Sequence, residues 1–296
     1  MKIVTDSAAD LPSDEVKTLD IKVAPLRIHF PGGELSSDQI SPDQFYTRLK
    51  EMEPDIPKTS QPSSGDFSKI YKNMIPDGEE ILSIHISSGL SGTVEAARLG
   101  AFDHQNSKIT IIDSLTLSGG QRYQVLAAAL GAKSGWGLSD ILERIKQIQA
   151  ASEVVYTLET LSYLSRGGRI GRVQALAGSL LKLKPVISVD KQDGKYNTLG
   201  KGRTLGKSMD VICEHFSKVY GREMPVWVTV LHGQFQTQAE SLAKMLREKL
   251  NVARMEILRI SPVLGVHTGP GIVGAASYGA TQNYHLECKW TARCTE

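Results

Sequence analysis

Apolar residues come in short bursts along this chain, and the spacing between bursts changes period. Lys2-Ile3-Val4-Thr5 predicts a short strand ending in Asp6-Ser7, and Leu11-Pro12-Ser13-Asp14-Glu15 predicts a helix start. Ile21 to Phe30 alternates and predicts one strand, with Pro25 placing it at an edge or bulge. Ser41 before Pro42 predicts a capped helix that Phe45 to Met52 continues. The prolines and missing period between Glu53 and Pro62 predict a loop, and Ser64 is the expected cap of a helix over Asp66–Met74. Strands follow at Glu80–Ile86 and Lys108–Ile112. Helices follow at Ser118–Lys133 and Leu138–Ala151, with Gly135 and Gly137 at the break.

Strands alternating with helices imply βαβ units and a parallel sheet through residue 150. The second half differs. After strand-like Val154–Thr157 and Pro185–Val189, Asp193-Gly194 predicts a hairpin turn with Lys195–Leu199 returning antiparallel. A helix over Thr204–Tyr220, a strand at Val226–Leu231, a helix over Gln236–Leu250 and a strand at Arg254–Ile260 follow. Gly265 to Gly271 reads as a rigid small-residue loop before a last strand, Ile272–Tyr278. The expected architecture is α/β in two domains, 1–150 and 151–280, followed by a terminal extension, 281–296.

Composition narrows the class without choosing a task. At 296 residues the chain has enough length for two packed lobes. Lys and Arg number 34 against 32 Asp and Glu, a near-balance that argues against broad electrostatic binding of nucleic acid. No run approaches about 20 uninterrupted apolar residues, so no membrane span is expected. The start, MKIVTDSAADLPSDE, lacks an apolar core and does not read as a secretory signal, so a cytoplasmic protein is expected. Cys213, Cys288 and Cys294 form no close pair, which disfavours a disulfide framework or a structural zinc site.

Polar signals collect at strand ends: Asp6-Ser7, Ser87 to Thr93 and Asp113-Ser114. In open α/β sheets such ends gather ligands. The Ser87 to Thr93 turn fits an anion site of hydroxyls and amides, or a simple helix cap by Ser91. Arg166-Gly167-Gly168-Arg169-Ile170-Gly171 fits a tight turn between helices, or a basic edge offering Arg166, Arg169 and Arg172 to a phosphate or acidic partner. No dinucleotide or P-loop glycine pattern occurs. Gly89-Leu90-Ser91-Gly92-Thr93 misses the nucleophile elbow by one position. A serine esterase or thioesterase using Ser91 with His267, oriented by Asp6 or Asp113, is therefore the alternative to a binder. His85 reads as a core histidine; His232 is left open.

Several segments together resemble the DegV family of bacterial fatty-acid-binding proteins, of the FakB type. They are Thr5-Asp6-Ser7, Thr59-Ser60-Gln61-Pro62-Ser63, Ser87 to Thr93, Ile112-Asp113-Ser114, Leu161 to Ile170, Lys184-Pro185 and His267-Thr268-Gly269-Pro270-Gly271. They fall in family order over roughly residues 1 to 280.

The resemblance implies a two-domain fold with an N-terminal parallel-sheet domain and a C-terminal domain of mixed sheet. A long-chain fatty acid would lie between them, with no cofactor, no metal and no catalytic residue. The family's carboxylate-holding residues map onto Thr59, Ser91 and His267. Ser60, Gly92, Thr93 and Thr268 are neighbouring candidates in the same loops. The implied protein partner is a fatty acid kinase that makes the acyl phosphate, with Arg169 and Arg203 as candidates for facing it.

Overall fold

The computed structural model describes residues 1–75, 78, 80–179 and 183–279, without the side chains of 176–179. The expected extension 281–296, with Cys288 and Cys294, lies outside the described residues.

The N-terminal half builds a four-stranded parallel sheet. β1 (Lys2–Asp6) sits between β2 (Ile21–Ala24) and β6 (Ile81–His85), and β7 (Ile109–Asp113) closes the edge beside β6. Helices α1 (Ser13–Thr18), α3 (Ser64–Met74), α4 (Thr93–Phe102), α5 (Ser118–Lys133) and α6 (Leu138–Ala151) connect or follow the strands. The last two occupy the ranges their apolar spacing predicts. β1 and β6 are buried almost throughout, as in a sheet covered on both sides.

Between β2 and α3 the chain leaves this sheet. Ile21 to Phe30 is two strands, contrary to expectation. Proline lacks an amide hydrogen, and Pro25 falls where pairing with β1 ends. The chain then enters a separate antiparallel sheet of β3 (Arg27–Phe30), β4 (Gly33–Ser36) and β5 (Lys58–Ser60). The segment expected as a loop thus contains β5, ordered by pairing Thr59 with Ile28. Helix α2 (Pro42–Glu51) has the expected cap: Ser41 Oγ accepts from Gln44, and the Gln44 side chain answers Ser41. The cap of α3 is Ser63, one residue earlier than expected, because its hydroxyl accepts from the Asp66 amide.

The C-terminal half builds a six-stranded mixed sheet in the order β10-β9-β8-β13-β11-β12. These are β8 (Ser152–Leu158), β9 (Lys184–Val189), β10 (Tyr196–Gly202), β11 (Pro225–His232), β12 (Asn251–Arg259) and β13 (Ile272–Gly279). Only β11 and β12 pair in parallel. Helices α8 (Leu205–Tyr220) and α9 (Gln236–Lys249) cover one face through Met209, Ile212, Phe216, Leu242 and Leu246. The short α7 (Ser162–Arg166) precedes the glycine-rich turn. Residues Gly265 to Thr268, expected in a loop, belong to α10 (Pro262–Thr268). Its start carries proline in the first helical turn, after Ser261.

The opposite face of the mixed sheet meets the N-terminal half through α5. Gly119 and Gly120 permit the approach: a Cβ at Gly119 would lie 2.5 Å from that of Ala276, and one at Gly120 2.7 Å from Val154 Cγ2. Tyr123 Oη reaches Thr229 at 3.0 Å. Arg122, 1% exposed, donates from Nε to Glu15 on α1 at 2.9 Å and from Nη1 to Glu256 on β12 at 2.7 Å. Burial opposes its charge, but the two carboxylates outweigh it and push the guanidinium pKa up. A buried cation flanked this way is strongly destabilising to break and fixes one arrangement of the parts around it.

Candidate functional site

Three segments carry the residues singled out above. β5 supplies Thr59, the turn before α4 supplies Ser91, and α10 supplies His267. Thr59 Oγ1 and His267 Nε2 are 2.7 Å apart. His267 is 9% exposed, and its Nδ1 is buried with no hydrogen-bond partner. Burial, then the charge of Arg169, pushes its pKa down to about 4, so the ring is neutral at ordinary pH. Gly167 leaves room for it: a Cβ there would lie 2.3 Å from Nδ1. Arg169 is held at the same turn, donating from Nη1 to the Gly167 carbonyl at 2.7 Å.

Ser91 Oγ lies 2.8 Å from Thr93 Oγ1. It does not cap α4, whose N-cap is Gly92. Its loop is pressed into shape by the β9–β10 hairpin. A Cβ at Gly89 would meet the Asp193 carbonyl at 2.5 Å, and one at Gly194, where φ is +64°, would overlap Ser87 Oγ. The loop also touches the β5 segment, since a Cβ at Gly92 would lie 3.0 Å from Gln61 Nε2. Thr59 and His267 are thus in direct contact, and the Ser91 loop meets the same β5 segment through Gly92 and Gln61.

The secondary candidates separate. Ser60 points away from Thr59, as adjacent strand residues must, and its Oγ lies 2.8 Å from His29 Nε2. Thr93 is buried beneath the half-buried Ser91. Thr268 donates to the Leu264 carbonyl at 3.0 Å and lines the cavity described below. Arg203 is exposed at the end of β10. The basic edge does not present three free arginines: Arg166 donates to the Pro54 carbonyl, and Arg172 pairs with Asp190 and Asp193.

The parts of the hydrolase reading do not pair with one another. Ser91 bonds Thr93 and His267 bonds Thr59, while Asp6 bonds His85 at 3.1 Å. Asp113 accepts from the amides of Ser88 and Leu115. His85 is a core histidine, as expected. Among the described residues, no group of three or more His, Cys, Asp or Glu is placed to hold a metal ion.

An apolar cavity lies between the start of α5, α10 and the mixed sheet. Leu117, Val154, Tyr156, Leu231, Ile260 and Ile272 line it, and Thr268 brings the His267 helix to its wall. Beside it lies a polar junction absent from the motif reading. Asp10 accepts from Ser118, a lining residue, and from the Ser261 amide at 2.7 Å. Burial pushes the Asp10 carboxyl up to about 6, against the pull of Ser118, Ser261 and Arg122.

The model of the DegV family, described as an uncharacterised protein of that family, matches residues 1–279. A DegV domain-containing protein of Deinococcus radiodurans is 34% identical over 275 residues, which cover 93% of this chain and 94% of that protein. A Thermus thermophilus structure described as fatty acid binding of a DegV family protein superposes with a TM-score of 0.88 at 31% identity. It covers 94% of this chain and 99% of the other. A stearic acid-binding protein from Eubacterium ventriosum superposes with a TM-score of 0.85 at 26% identity, covering 94% and 98%. The chain belongs to the DegV family.

Proposed function

We propose that this chain is a cytoplasmic carrier that binds a long-chain fatty acid and presents its carboxylate to a fatty acid kinase. The acyl chain occupies the apolar cavity, between domains 1–150 and 151–280. Thr59, Ser91 and His267 hold the headgroup. The observation that carries this reading is the unpartnered, buried Nδ1 of His267 beside Thr59, on the helix that also walls the cavity. Fatty acid binding by the Thermus and Eubacterium proteins supports the same ligand class.

The chemistry is suited to a carboxylate. Two hydroxyls and a neutral imidazole N–H are directional donors, and the nearby Arg169 charge favours an anion there. The arriving carboxylate raises the imidazole pKa by reversing its surroundings, so binding takes up a fraction of a proton below neutral pH. The acyl chain supplies most of the affinity: about 15 methylenes at ~0.8 kcal/mol each give on the order of 12 kcal/mol gross. Ordering and association costs reduce that sum. Arg203, exposed and distant in sequence from the headgroup residues, is assigned to the kinase-facing surface. Arg169, held beside His267, serves the headgroup first.

Native mass spectrometry of the purified chain, with lipid extraction, recovers a long-chain fatty acid on this reading. A protein that carries none and takes up none from solution sinks it. Charge reversal at Arg203 lowers kinase-dependent acyl phosphate formation while leaving acid uptake intact.

A further inference from the structure

A second polar cluster stands at the carboxyl ends of β11 and β12, where parallel strands leave room for ligands. His232 ends β11 and Arg259 ends β12, and the two are register partners. Tyr46 comes in from α2, with the Arg259 guanidinium carbon 5.7 Å from its ring centre. His232 and Tyr46 are each 2% exposed, and neither His232 Nδ1 nor Tyr46 Oη has a hydrogen-bond partner. Arg259 Nη1 donates to Asp43 at 2.5 Å, while Nε and Nη2 are buried without partners.

Nε and Nη2 form one edge of the guanidinium. Their two parallel N–H bonds match two oxygens of a single oxyanion. A charged edge buried without an acceptor is costly, so the arrangement calls for one. Glycines let Tyr46 come in this close: a Cβ at Gly233 would lie 2.8 Å from Tyr46 Oη, and one at Gly265 2.9 Å. Helix α9 begins just beyond, and its N-cap, Phe235, offers no side-chain acceptor to the first-turn amides. Burial and then the Arg259 charge push the His232 pKa down, so its ring is a neutral donor or acceptor. Three acidic groups border the cluster: Asp43 on Nη1, Asp10 acting on Tyr46, and Glu240 acting on His232. Asp43 is 83% exposed, so its pair with Arg259 lies at the solvent side and costs little to open.

We propose that this cluster is an oxyanion site for a phosphate group, free or as a monoester. Arg259 Nε and Nη2 grip two oxygens, and Tyr46 Oη, His232 Nδ1 and the first amides of α9 take the others. Four or more convergent donors suit a tetrahedral phosphate better than a two-oxygen carboxylate. The site is separate from Thr59 and His267 and does not depend on the fatty-acid reading.

Calorimetric titration of the full chain with inorganic phosphate and with glycerol phosphate tests it. Saturable binding of at least one probe is expected. It weakens about tenfold or more in Arg259→Lys, which keeps the charge and loses the fork. Tyr46→Phe weakens it several-fold, and Thr59→Val leaves it unchanged. Equal affinities assign free phosphate as the ligand; a markedly tighter ester assigns a phosphorylated small molecule. No saturable binding of either probe, equal binding in Arg259→Lys, or loss in Thr59→Val overturns the proposal. Fatty acid uptake by Arg259→Lys stays at the unaltered level, so failure here is distinguishable from failure of the lipid reading.

Discussion

Two buried histidines, one in each half, use the same ring in opposite ways. His85 has both nitrogens bonded: Nδ1 to Asp6 at 3.1 Å and Nε2 to Ser83 at 2.7 Å. Ser83 continues to Tyr71 at 3.0 Å, and Asp6 also accepts from the amides of Ala8 and Ile86. That network is closed, and nothing in it is left to offer a ligand. His267 has Thr59 on one nitrogen and nothing on the other. A closed buried network specifies the fold, whereas an open one holds binding capacity in reserve at some cost in stability.

The largest test of this contrast is at Asp6. Asp6→Ala strips the acceptor from His85 and two amides at once. At roughly 1–3 kcal/mol per orphaned buried donor, the three together lose about 3 kcal/mol or more, read from urea unfolding. His267→Ala, by contrast, should cost far less stability and abolish tight fatty acid uptake. Similar stability losses at the two sites would erase the distinction.

A pH series sharpens it next. His267 stays neutral in the folded chain down to about pH 4, whereas its ordinary pKa is 6.5. The unfolded chain therefore binds the extra proton between those values. The stability this group contributes is complete above 6.5 and is lost as pH falls toward 4, a change of roughly 3 kcal/mol at 1.36 kcal/mol per pK unit. Asp10 works in the other direction. Its folded pKa of about 6 lies above the ordinary 3.8, so its contribution is present below 3.8 and lost as pH rises through 6. The two slopes offset each other in the unaltered protein. His267→Gln removes one of them, so its stability relative to the unaltered chain should rise as pH falls from about 6.5 to about 4. Parallel profiles would show that His267 is not held neutral by the fold.

The smallest change probes position alone. Gly167 has φ of −73°, which alanine adopts without strain. The added methyl nonetheless collides with His267 Nδ1. Gly167→Ala should weaken fatty acid binding about tenfold, with less than about 1 kcal/mol lost in stability. Unchanged affinity would place the carboxylate elsewhere.

Much of this was legible in the chain. Helices over Ser118–Lys133 and Leu138–Ala151, the Ser41-Pro42 cap and the Asp193-Gly194 hairpin each carry their cause locally. β5 did not, because three residues beside prolines become a strand only when β3 is there to pair with them. Gly265 to Thr268 looked like a loop because small residues hide helical spacing, although Ser261-Pro262 just before them is a helix start. The Thr59–His267 pair joins residues 208 apart, and only the ordered set of family motifs brought them together. The cavity wall was hidden for a different reason: Val154, Leu231 and Ile272 are the residue types that fill cores. Arg122, in the middle of a helix, gave no sign of partners 107 and 134 positions away.

That last separation bears on how the chain comes off the ribosome. Arg122 can find Glu15 as soon as α5 forms, but Glu256 is made 134 residues later. At roughly 5–20 residues per second, the N-terminal sheet waits on the order of ten seconds with a half-neutralised cation and the glycine face of α5 uncovered. The first half of this protein therefore reaches its final packing only when the sheet that completes it has been synthesised.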